Sequence, residues 1–161
     1  MPEPGEPTYL VDTCVWVNIR DVDGDSEALW GQVFLLIEAG RVKTVRQVMV
    51  ELERRWPEIY GRLKPFKRKL VVPDATSYSA DVVAEVRAIH DQHPGLYDRL
   101  GLGNPADPML VAVAKADAAI VVTDERSSGK QHTRKIPYVC TQRNVGWINR
   151  QGFFAAVGIV P

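Results

Sequence analysis

The stretch TYLVDTCVWVNI, residues 8–19, decides how the rest of the chain is read. It is a β-branched and aromatic run interrupted by one carboxylate, Asp12, and it predicts a strand buried on both faces of a parallel sheet, followed by a turn. The acid is the anomaly, because an ionised carboxylate is expensive to bury unless it is hydrogen-bonded, paired or bound to a cation.

Beyond this run the apolar periodicity alternates between helix and strand. Leu29, Trp30, Val33, Phe34 and Ile37 recur at helical spacing over residues 27–37, with Gly40 as the stop signal. A second helix starts near Thr44 and carries Val45, Val48, Met49, Leu52 and Trp56 until Pro57. Residues 69–72 read as a short strand closed by Pro73, and residues 79–90 as a helix striped by Val82, Val83, Val86 and Ile89. After a turn at residues 101–105, ADPMLVAVAKADA reads as a strong helix, with Pro108 near its first turn and Asp107 near its N-cap. Residues 119–122 and 136–139 read as further strands and residues 145–151 as a last short helix. Alternation of this kind predicts an α/β fold with a central parallel sheet flanked by helices. One domain over residues 8–161 is expected behind a flexible tail of residues 1–7, with no internal repeat.

The 161 residues suffice for a proper core. A formal net charge of zero argues against a generic polyanion binder, but the charges are segregated. Acid collects at Asp21, Asp23, Asp25 and Glu27; base collects at Arg54, Arg55, Arg62, Lys64, Lys67, Arg68 and Lys69, and again at Arg126, Lys130, Arg134 and Lys135. Each cluster is either a solvated face or, for the basic ones, a grip on a polyanion. Cys14 and Cys140 have neither disulfide-framework nor zinc-site spacing, which points to reduced thiols in a cytoplasmic protein. No leader pattern opens the chain and no apolar run approaches the roughly 20 residues of a membrane span, so a soluble, non-membrane protein is expected.

In parallel α/β sheets, ligands bind beyond the carboxyl ends of the strands, where acids distant in sequence can converge. Asp12, Asp107 and the pair Asp124 and Glu125 all occupy such places. Taken singly, each has a local explanation as a helix cap, a turn residue or a buried hydrogen-bonded acid. Taken together they are a crowd of like charges that a bound cation would relieve, and an all-oxygen donor set suits Mg²⁺ or Mn²⁺ rather than zinc.

These residues resemble a known family. VDTCVWV is similar to the opening strand of PIN domains, which leads into Asp-Thr-Ser or Asp-Thr-Asn, with Cys14 here at the small polar position. VMVEL resembles the helix that supplies the family's glutamate, and NPADPMLVAVA followed by AIVVTDE resembles its last two acidic motifs. The similarity runs from about Tyr9 to Cys140 and looks closest to a PIN-like domain family of unknown function with ADPxL and Thr-acid-acid motifs, more distantly to VapC toxins. The resemblance implies a metal-dependent endoribonuclease with Asp12, Glu51, Asp107 and an acid after Thr123 at the metal-binding positions. It implies an RNA substrate, and it suggests the toxin of a toxin–antitoxin pair with a cognate antitoxin. A homodimer built on apolar helix faces, such as that bearing Trp30 and Phe34, goes with the same suggestion. Two choices stay open: Glu51 and Glu53 both flank the apolar stripe of their helix, the former matching the motif, and either Asp124 or Glu125 can be the direct ligand because neighbouring strand residues face opposite ways.

Other signals are weaker. The C-x5-R spacing from Cys14 to Arg20 lacks the flexible residues of a phosphate loop, the GxGxxA match at Gly101, Gly103 and Ala106 follows no strand, and the pair His90 and His93 lacks further ligands. An aspartyl phosphatase would need a second acid at position 14. The rival of a different class is a PIN-like module that binds RNA or protein without cleaving.

Overall fold

The structure is a computed structural model that describes residues 4–97, 106–129 and 132–161. At its centre is β1 (Tyr9–Val11), whose three residues are all buried. It pairs in parallel with β2 (Val42–Lys43) on one side and β3 (Ile120–Val122) on the other, and β3 pairs in parallel with β4 (Trp147–Ile148). The four-stranded order is β2-β1-β3-β4, so the expected α/β architecture with a parallel central sheet holds. The registers Val11 with Val122 and Val122 with Ile148 bring the carboxyl ends of β1, β3 and β4 to one edge.

The expected strand over residues 8–19 stops at Val11, and α1 (Thr13–Asp21) replaces its second half. Asp12 is the reason: its backbone is extended, and its carboxylate accepts from the Thr13 N–H at 2.8 Å, which starts a helix rather than prolonging a strand. Val15, Trp16 and Ile19 then fall on one buried face at helical spacing. Trp16 stacks on Trp30 of α2 (Glu27–Glu38) with ring centroids 6.4 Å apart. Trp30 is fully buried, and the partly buried Phe34 stacks on Phe66 at 4.3 Å.

After α3 (Arg46–Arg55) and α4 (Pro57–Leu63) come a short 3-10 turn and α5 (Lys67–Leu70). The strand expected over residues 69–72 is therefore mostly absent. Only a parallel bridge between Thr44 and Val71 remains of it, because the exposed Lys67 to Lys69 turn is helical up to Leu70. Then follow α6 (Asp74–Ser77), α7 (Ala80–Gln92), capped by the Ser79 hydroxyl, α8 (Pro94–Tyr97) and α9 (Ala106–Asp117). The turn expected at residues 101–105 lies outside the described residues.

Two further expectations are corrected near the C-terminus. Residues 136–139 belong to α10 (Ile136–Gln142), not to a strand: Pro137 sits in the first turn, where its missing N–H costs nothing, and Ile136, Val139 and Cys140 share a buried face. Residues 145–151, expected as a helix, instead supply β4 and the start of α11 (Arg150–Val157), whose N-cap Asn149 accepts from the Gly152 N–H at 2.8 Å. Short apolar stretches carry too few residues to separate a period of two from one of 3.6.

Candidate active site

Asp12 and Thr123, each just beyond a central strand, stand side by side because Val11 and Val122 are register partners. The Asp12 carboxylate accepts from the Thr13 N–H at 2.8 Å, the Thr123 hydroxyl at 3.0 Å and the Cys14 thiol at 3.2 Å. Even so, burial pushes the Asp12 carboxyl up to about 6 and the charge of Glu125 adds to the rise, while the three donors only pull it back in part. The same environment raises the Cys14 thiol well above its ordinary range, through burial first and the Asp12 charge second. Burial and then the charges of Glu125 and Asp12 push buried Cys140 up to about 12.

A cavity of about 240 Å³ opens there. Asp12, Glu51, Asp107 and Glu125 all border it, together with Thr13, Cys14, Asn18 and Trp56. Glu51 projects from α3 and is held by the Thr13 hydroxyl, which donates to its Oε2 at 2.8 Å, with Arg55 at 3.5 Å on the other oxygen. Glu53, two residues further along α3, is exposed and does not border the cavity. Asp107 lies in the first turn of α9 and is only 4% exposed. Glu125 accepts from the Ile136 N–H at 2.8 Å, which ties the end of β3 to the start of α10.

Asp124 faces away into a different arrangement. Its carboxylate accepts from the Arg150 guanidinium, from the Arg150 backbone N–H at 3.0 Å and from the Asn18 amide at 2.8 Å. Arg150 also approaches Asp23 to 2.8 Å, off the hydrogen-bonding direction, so that contact is an ion pair without a formed hydrogen bond. One buried guanidinium thus clips together the end of α1, the end of β3 and the start of α11. Asp124 and Glu125 lie just beyond β3, and of the two only Glu125 borders the cavity shared with Asp12.

Of the acids singled out from the sequence, four meet at one cavity and Asp124 does not border it. Thr13, Asn18, Thr123, Trp56 and Arg150 escaped the sequence reading. Asn18 follows Cys14 by one helical turn, a relation invisible while residues 13–19 pass for a strand. Nothing in the sequence marks Arg150. The acidic cluster is more built than a solvated loop: Asp25 accepts from the Trp30 indole at 2.6 Å, and Glu27 pairs with Arg62 at 2.9 Å. In the first basic cluster Lys69 is paired with Glu38 at 2.6 Å, while Lys64, Lys67 and Arg68 are exposed.

The donor chemistry fits a hard divalent cation: all four acids offer oxygen, and the raised Asp12 shows charge that a cation would offset. As placed, no three His, Cys, Asp or Glu side chains among the described residues form a group that could hold a metal ion, so the carboxylates ring the cavity without converging on one point. Cys14 provides a check on the electrostatics. Since the thiolate is the reactive form, iodoacetamide at pH 8 is expected to label Cys14 about tenfold or more slowly than a free cysteine. Peptide mapping that finds Cys14 labelled at the free rate would contradict the buried, acid-flanked environment.

Fold and site together define an α/β protein with an acidic cavity at the carboxyl edge of a parallel sheet. The chain belongs to the family described as Domain of unknown function (DUF4411), which matches residues 9–160. No curated protein matches it. Among solved structures it is similar to the crystal structure of VapBC2 from Rickettsia felis bound to a DNA fragment from their promoter, at 17% sequence identity and a TM-score of 0.54. That likeness covers 88% of this chain and 98% of the other, and it is a likeness of fold. No helix among the described residues is long and apolar enough to cross a membrane.

Proposed function

We propose that this chain is a metal-dependent ribonuclease that hydrolyses RNA phosphodiester bonds at the acidic cavity. The observation that carries the reading is the meeting of Asp12, Glu51, Asp107 and Glu125, from four separate elements, around one opening. Mg²⁺ or Mn²⁺ would be held by Asp12, Asp107 and Glu125, with Glu51 completing the shell or orienting water; when bound, it supplies the charge that lowers the pKa of water and neutralises a phosphoryl oxygen. The chain's own groups prepare that site. Thr13, Cys14 and Thr123 fix the Asp12 carboxylate, and the Thr13 hydroxyl fixes Glu51. The Ile136 N–H holds Glu125 at the rim. The exposed Lys64, Lys67 and Arg68 offer charge to the RNA backbone.

The motif resemblance to VapC toxins and the fold likeness to a VapBC2 structure favour the toxin of a toxin–antitoxin pair, working in the cytoplasm with an antitoxin that covers the cavity. A second reading keeps the same acidic cavity as a module that binds RNA without cutting it. One experiment separates the two: Mn²⁺ and Mg²⁺ titrations on a panel of structured and single-stranded RNAs. The nuclease reading expects cleavage that saturates with metal and vanishes in chelator. Binding without cleavage at saturating metal would leave the second.

The acidic pair gives a sharper test. Glu125→Gln is expected to lower cleavage by about tenfold or more with an unchanged melting temperature, through loss of a ligand at the rim. Asp124→Asn is expected to act mainly on stability, by about 1–3 kcal/mol, because it weakens the bond network around Arg150. A reversed pattern, with Asp124 governing rate and Glu125 governing stability, would move the ligand to Asp124.

A further inference from the structure

We propose that a second cavity, adjoining the acidic one, is a nucleotide subsite that takes the residue of a single-stranded RNA flanking the scissile bond; this rests on the nuclease reading of the acidic cavity. The two cavities share Asn18 and Glu125 in their linings, so they adjoin. The second measures about 380 Å³, and its chemistry differs from that of the first. It is lined by Arg126, Ser127, Ser128, Trp147, Asn149 and Gln151, besides Asp124 and Arg150.

Charge decides what it can accept. Arg150 is shared between Asp124 and Asp23, so its guanidinium is committed to two carboxylates and is not the cation that meets a ligand. Glu125 lies in both linings, with an oxygen accepting from the Ile136 N–H. Arg126 is exposed and has no ion-pair partner among the described residues, which leaves a guanidinium for a phosphate. The Ser127 and Ser128 hydroxyls on the lining can both donate and accept, which is what a ribose 2′-hydroxyl needs. Trp147 is half-buried in β4 and stacks on no other ring among the described residues, so an aromatic face remains for a base, with the Gln151 amide nearby for its edge. A cation grip, hydroxyl donors and an open indole next to a site for phosphoryl chemistry are the parts of a nucleotide seat.

The test uses the full chain carrying Asp12→Asn, which leaves RNA uncut, in chelator. Fluorescence anisotropy with a labelled single-stranded oligoribonucleotide of about eight nucleotides reads affinity. Adding Arg126→Ala is expected to weaken binding about fivefold or more, and Trp147→Ala about tenfold, with Trp147→Phe restoring most of it. Titration with 5′-UMP is expected to move the Trp147 indole N–H resonance and leave that of Trp56 in place. Unchanged affinity in the chain carrying both Arg126→Ala and Trp147→Ala, shifts confined to Trp56, or no binding of either probe would overturn the proposal. If wild-type chain fails to cleave at saturating Mn²⁺ while the binding pattern stands, the nuclease reading falls and the nucleotide seat remains.

Discussion

Asp12→Asn is expected to lower RNA cleavage by about a hundredfold or more at saturating Mn²⁺ while leaving the fold intact. The substitution keeps shape and most hydrogen bonds: the remaining oxygen can accept from the Thr13 N–H, and the new amide faces the Thr123 hydroxyl, which accepts as readily as it donates. What it removes is the charge. In the metal-free protein that charge is a liability, since Asp12 titrates at about 6 in the folded chain against an ordinary value of 3.8. The folded state therefore holds the proton more tightly than the unfolded one. Its contribution to stability is full below about pH 4 and is lost as the pH rises through 6. In chelator the variant should match the wild type near pH 4 and exceed it at pH 7 by up to about 3 kcal/mol, at 1.36 kcal/mol per pKa unit. Urea unfolding at the two pH values measures the difference. A variant that cleaves at the wild-type rate would remove Asp12 from the site, and one that is less stable than wild type at pH 7 in chelator would contradict the burial of its charge beside Glu125.

Arg150→Met is expected to cost about 3–5 kcal/mol of stability. The Arg150 side chain is 7% exposed and its partners Asp23 and Asp124 are 11% and 15% exposed. Removing the guanidinium leaves two carboxylates in poor contact with water, with only the Asn18 amide and the Arg150 backbone N–H still serving Asp124. Adding Asp23→Asn and Asp124→Asn should recover most of the loss, because neutral amides are far cheaper to bury than unpaired charges. Urea unfolding of the single and triple variants decides it. A single-variant loss under about 1 kcal/mol would mean that the three groups are solvated and the clip holds little. Cleavage should fall along with stability in the single variant, because Glu125 follows Asp124 in the chain and the clip sets where the end of β3 lies.

Legibility in the sequence was uneven, and the unevenness has a physical pattern. Long, strongly periodic segments such as 27–37, 79–90 and 106–118 became helices close to the expected limits, since each carries enough turns to show a period of 3.6. Short apolar runs misled: residues 13–19 and 136–139 are as apolar as a strand but are helical, and 145–148 end in a strand. There the outcome depends on neighbours, with a carboxylate cap at Asp12, a proline in a first turn and a ladder offered by β3. The sequence by itself determined the alternating α/β order and the place of Asp107 at the start of a helix, because those follow from local apolar pattern and from proline and cap chemistry along the chain. Only the tertiary structure decided that Glu51 rather than Glu53 borders the cavity, that Asp124 turns away to Arg150, and that Asn18 and Trp56 join the wall. Those choices turn on which side of a helix or strand meets which distant partner across gaps of tens of residues, and such pairing is set by packing in three dimensions.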